Sequence, residues 1–128
     1  MRVAYFESWN LGRKCLHMSV DEIDTSFYTH IHFAFANVTT DFRPEITDPS
    51  VKEQFDIFKA MTGVKRIISF GGWAFSVDGP THNILRNAVL AANRDKFKNN
   101  LIAFMNEHGL DGIDLDWEYP GVSQLLPC

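Results

Sequence analysis

Covalent and metal cross-links have little to work with in this sequence. Its 2 cysteines, Cys15 and Cys128, allow at most one bridge. They make no disulfide framework and their spacing fits no metal site, so two unpaired thiols are expected. Only 8 Gly and 5 Pro occur in 128 residues, which excludes collagen-like and low-complexity chains. Basic charge is also short: 12 Lys and Arg face 16 Asp and Glu, a net charge of −4. A protein that grips nucleic acid through its phosphates needs the opposite balance, so no nucleic-acid partner is expected. No apolar run reaches the roughly 18 residues of a membrane span. Met1–Phe6 enters a strand-like segment directly, without the apolar stretch and cleavage site of a signal peptide. What is abundant is aromatic side chains, at 13%, with 11 Phe, 3 Tyr and 3 Trp. Such rings fill cores and also make platforms for sugars.

The length suits a single domain, and its elements alternate. Val3–Trp9, His30–Val38, Val64–Phe70 and Gly112–Tyr119 are short, apolar or aromatic, and bounded by turn residues, so each predicts a strand. Between them lie helical patterns. Asp48-Pro49 predicts an N-cap and first helical residue, Val51, Phe55, Phe58 and Met61 recur at helical spacing, and Gly63 is a stop. A second helix is expected over Asn93–His108, with Asn93 as cap and Phe97, Leu101, Phe104 and Met105 on one face. Shorter helices are expected at Asn83–Ala91 and Ser19–Phe27. Alternation of this kind builds a parallel sheet with crossover helices. No G-x-G-x-x-G follows the first strand, which weakens a doubly wound dinucleotide-binding fold. A (β/α)₈ barrel needs about 250 residues, so on this reading the sequence holds four β/α units, half of a barrel.

The informative segment is Asp111-Gly-Ile-Asp114-Leu-Asp116-Trp-Glu118-Tyr119-Pro. Along a strand, side chains alternate, which puts Asp114, Asp116 and Glu118 on one face and Ile113, Leu115 and Trp117 on the other. The acids are roughly 6.6 Å apart at the backbone. Ionising all three is unfavourable, so at least one proton should be held near neutral pH. At the C-terminal end of a barrel strand, where catalytic groups gather, Glu118 is placed as a general acid with Asp116 as its charged neighbour. Consecutive strand positions converge poorly on a cation, and His30 with His32 lack a third ligand; no metal and no cofactor is expected.

The spacing D-x-x-D-x-D-x-E within DGIDLDWEYP resembles the signature of family 18 glycoside hydrolases, the chitinases. Ser69-Phe70-Gly71-Gly72-Trp73 is similar to that family's S-x-G-G motif, and YFESWN, CLHM and YTHIHFAFA resemble its fungal killer-toxin-like branch. The resemblance runs from Val3 to about Gly121. It implies an endo-acting, secreted hydrolase of β-1,4-linked N-acetylglucosamine polymers, with chitin or chitooligosaccharide as partner. In this family the substrate's own acetamide assists and configuration is retained. The resemblance implies that Glu118 is the acid/base, that Asp116 orients the acetamide, and that Asp114 shares a proton with Asp116. Asp111 is implied to be structural, Tyr5 and Ser69 to hydrogen-bond the inner aspartates, and Trp9, Phe35, Gly71, Gly72, Trp73 and Tyr119 to line the sugar cleft. By the same resemblance, the Ala34–Phe35 and Glu118–Tyr119 peptide bonds match positions that are cis in the family. Trp117, opposite the acids, is expected to pack between helix and sheet.

The resemblance also implies four further strands, with Met, Tyr and Trp groups around the reactive sugar, that do not follow here. Residues 1–121 read as the N-terminal half of the catalytic domain and 122–128 as an atypical, truncated tail. Such a half is expected to be aggregation-prone with negligible turnover. The other class of function to weigh is a non-catalytic, lectin-like carbohydrate-binding protein on the same barrel, against which the presence of Glu118 counts.

Overall fold

The β-branched and aromatic run His30–Val38 forms the longest strand, β2, in the computed structural model, which describes residues 1–77 and 79–121. On one side of it lies β1 (Val3–Glu7); on the other lie β4 (Lys65–Gly71) and then β5 (Gly112–Asp116). All these pairings are parallel. The two-residue β3 (Pro44–Glu45) returns antiparallel to the end of β2. Each main strand lies beside the next one in the chain, so the order never reverses. A doubly wound sheet would reverse at a switch point; this sheet is singly wound, as in half a (β/α)₈ barrel. The tail 122–128, including Cys128, lies outside the described residues; Cys15 is exposed.

Strand alternation divides the sheet into two unlike faces. Ile31, Phe33, Ile68 and Phe70 point to the helices and are fully buried. Helix α1 (Pro49–Ala60) starts where expected: the Asp48 carboxylate accepts from the Ser50 and Val51 amides, with Pro49 in the first turn. Its Phe55 and Phe58 rings meet Phe33 at 5.4 and 5.2 Å between centroids. Helix α4 (Arg94–Glu107) buries Phe97 and Leu101 and sets Phe104 against Phe70. Between β4 and α4 lie α2 (Trp73–Ser76) and α3 (His82–Ala88). Trp117 packs against this same core, as expected from its side of the strand.

Some expectations fail for local reasons. Ser19–Phe27 forms only a single 3₁₀ turn, Val20–Glu22, closed by a Ser19/Glu22 capping box. Asp24 then accepts from the Ser26 amide, a side-chain turn that competes with helix continuation. Asn93 precedes α4 but makes no cap bond; its amide donates to the Asn87 carbonyl instead. The expected fourth strand stops at Asp116, so Glu118 lies two residues beyond it. The short β3 and α2 carry too few residues for a periodic signal.

At the opposite end of the sheet from Asp116, Asp111 ties β4 to β5. Its carboxylate accepts from the Arg66 amide at 2.9 Å and pairs with Lys65 and with the Arg66 guanidinium. Arg66 also donates to the Lys59 and Gly109 carbonyls at the C-terminal ends of α1 and α4, where a cation suits the helix dipoles. These bonds, led by the Arg66 amide, hold the Asp111 carboxyl below the usual carboxylate range. A depressed folded-state pKa contributes stability above the ordinary carboxylate range that is lost as pH falls through the folded value. Urea unfolding of Asp111→Asn is therefore expected to show a deficit at pH 7 that shrinks below about pH 4. Removing Phe58, which is fully buried, should cost about 3–5 kcal/mol as Phe58→Ala at every pH.

Candidate active site

The face turned away from the helices carries the chemistry. Register places Tyr5 beside His32 and His32 beside Ile67 in one row, with Ala34, Ser69 and Asp114 in the next. From these positions three side chains converge on one oxygen. Asp114 Oδ2 accepts from Ser69 Oγ at 2.6 Å and Tyr5 Oη at 2.9 Å, and His32 Nδ1 stands 3.2 Å away. To reach Asp114 the Tyr5 ring lies over His32, 4.6 Å between centroids. Both aspartates come from the strand alternation of β5. Glu118 does not: it is placed by the bend after the strand, where the Glu118–Tyr119 peptide is cis.

The two aspartates are pushed in opposite directions. Burial would raise the Asp114 carboxyl, but the hydrogen bonds from Ser69, Tyr5 and His32 outweigh it and hold its pKa below the usual carboxylate range. Asp116 has no such donors among the described residues, and burial together with the Glu118 and Asp114 charges pushes its pKa up. Of the two, Asp116 is the one whose charged form is disfavoured. The Tyr5 phenol is pushed up to about 12, first by burial and then by its bond to Asp114, so it stays a donor. The Glu118 charge, with a hydrogen bond to Glu118, raises the Tyr119 phenol too.

Above the acids runs an aromatic groove. Trp9 and Phe35 stack with planes 12° apart and centroids at 5.7 Å. With Tyr5, Glu7, Ala34 and Asp116 they line an open depression of about 340 Å³. The Ala34–Phe35 peptide is cis, and Phe35 is the extra residue where the β2–β4 register shifts. Trp73 and Tyr119 are more than half exposed near the same end of the sheet. Gly71 and Gly72 are buried, and Gly71 lines a depression beside Trp9 and Phe35. A Cβ on Gly71 (φ +116°) would lie 2.2 Å from the Asp116 carbonyl oxygen, and one on Gly72 (φ +77°) would lie 2.7 Å from the Phe35 ring. Their small size lets the Gly72 amide donate to the Asp116 carbonyl at 2.7 Å.

Tyr5, Ser69, Asp114, Asp116, Trp9 and Phe35 are thus brought together, with Glu118 at the rim, while Asp111 stands at the far end of β5. Sequence reasoning passed over His32, considered only as a metal ligand. Its signal was a polar residue at alternate positions with Phe33 and Ile31, on the inner face of a strand flanked by strands on both edges. Among the described residues no cluster suited to a metal ion occurs.

Comparison with known proteins agrees with this geometry. A family model described as Glycosyl hydrolases family 18 matches residues 1–124. "Secreted chitinase LysM12" of Penicillium expansum is 45% identical over 96% of this chain and 8% of its own length. "Killer toxin subunits alpha/beta" of Kluyveromyces lactis is 43% identical over 97% of this chain and 10% of its own. Among solved structures, the Group IV chitinase of Ostrinia furnacalis in complex with allosamidin superposes with a TM-score of 0.76 and 27% identity, over 97% of this chain and 34% of that one. The chain spans about a tenth of the length of those two fungal relatives and 34% of the solved insect chain. With the family match extending over nearly every residue, the chain belongs to glycosyl hydrolases family 18.

Proposed function

We propose that this domain carries the acid/base side of a secreted chitinase site, cleaving β-1,4-linked N-acetylglucosamine polymers with retention of configuration. The observation that carries the reading is the convergence of Ser69, Tyr5 and His32 on one oxygen of Asp114, with Asp116 next in the acid row and Glu118 just beyond; the opposite displacement of the two aspartates supports it. Glu118 protonates the glycosidic oxygen as the bond to the anomeric carbon breaks. The carbonyl oxygen of the substrate's own acetamide closes on that carbon, giving an oxazolinium. Water then attacks the anomeric carbon and gives its proton to Glu118, so configuration is kept. Asp116 accepts the acetamide N–H and orients the carbonyl, and Asp114 spreads the positive charge through it. The Trp9–Phe35 pair offers a stacking surface for sugar rings beside these acids. The crystallised insect chitinase that this fold resembles is bound to allosamidin, and the fungal relative is named as secreted; both support substrate class and location.

Glu118→Gln in the full-length protein is expected to lower kcat on chitooligosaccharides about 10²–10⁴-fold, with binding retained. Unchanged turnover would remove Glu118 from the acid/base role. Oligosaccharide binding by the unaltered protein without any turnover would favour a lectin-like protein. Because donors depress the Asp114 pKa, removing one raises it, and a reaction that needs Asp114 ionised then requires higher pH. Ser69→Ala, which deletes the 2.6 Å donor, is expected to move the acidic limb of the kcat profile upward. A limb that stays put would dissociate Asp114 from the rate.

A further inference from the structure

Asp114 Oδ2 takes hydrogen bonds from side chains of two other strands, Tyr5 on β1 and Ser69 on β4, and has a third polar neighbour on β2. That neighbour, His32, is held firmly. Its side chain is 16% exposed, the Tyr5 ring covers one face, and Ile67 stands beside it in register. The other titratable groups near it are His30 on its own strand and Asp116 on β5, two residues beyond Asp114; among the described residues no helix packs on this face. An ionised carboxylate can only accept. For the 3.2 Å approach to be a hydrogen bond, the proton must be on Nδ1.

We propose that His32 is a positioning residue for the reaction: it donates its Nδ1 proton to Asp114 and completes a three-donor cradle that fixes this carboxylate in place. With all three donors on Oδ2, the cradle fixes the orientation of the carboxyl plane. A cradled carboxylate is a poor proton acceptor, so the proton the pair retains is left on Asp116. His32 itself touches neither substrate nor the reacting atoms. The inference rests on the chitinase reading for its kinetic consequence, but not for the hydrogen bond itself.

Two measurements test it, and they fail separately. In long-range ¹H–¹⁵N spectra of the full chain, neutral His32 is expected to carry its proton on Nδ1, the tautomer that free imidazole side chains disfavour. A proton on Nε2 with Nδ1 bare would overturn the proposal whatever the enzyme does. In kinetics, His32→Leu is expected to lower kcat about 10-fold, change KM less than about twofold, and move the acidic limb to higher pH. His32→Asn, whose amide can donate from nearly the Nδ1 position, should recover most of the rate and return the limb. Equal losses in the Asn and Leu variants, or an unmoved limb in the Leu variant, would sink the positioning role. A protein that turns over no chitooligosaccharide would defeat the function proposed above, and the tautomer measurement would still decide whether His32 holds Asp114.

Discussion

One carboxylate organises the inner face of this sheet. Asp114 is only 23% exposed at its side chain, and a charge so placed must be paid in hydrogen bonds. Its donors sit on different strands, so they meet only if the parallel register is right. A slip of one residue in β1 or β4 would turn Tyr5 or Ser69 to the helix side. The charge thus depends on the topology, and the asymmetry between Asp114 and Asp116 depends in turn on the charge being satisfied at one position and not at its neighbour.

The apolar side of the same strands answers to a different rule. There, side chains such as Phe33 and Phe70 need only volume and contact, which the rings of α1 and α4 supply. The sheet therefore separates two kinds of side chain by simple alternation, apolar packing on one face and hydrogen-bonded acids on the other. Arg66 and Asp111 secure the far end, while at the end that carries the acids Arg13 pairs with Glu7 at the close of β1.

Much of this was legible in the sequence because it rests on short-range periodicity. The strands and the long helices announce themselves by period and by turn residues, and D-x-D alternation places Asp114 and Asp116 together without any coordinates. Parallel order followed from alternation of elements, and the choice of half a barrel over a doubly wound sheet came from the missing G-x-G-x-x-G and the motif resemblance, with which the strand order agrees. The Ser19 helix failed because Asp24 closes a competing turn, a choice between two local bonds that propensity does not resolve. Glu118 reached the acid row by a bend rather than by strand alternation. The partnership of His32 with Asp114 spans 82 residues, and only the register of three strands makes them neighbours.

Asp116 is attached to the fold through its main chain: its carbonyl, not its carboxyl, receives the Gly72 amide. Any residue has that carbonyl, so the seam between β4 and β5 is indifferent to what side chain stands at 116. Position 116 is therefore free to drift in chemistry while the architecture stays intact. Positions 71 and 72, with no catalytic group at all, are where the scaffold resists a side chain.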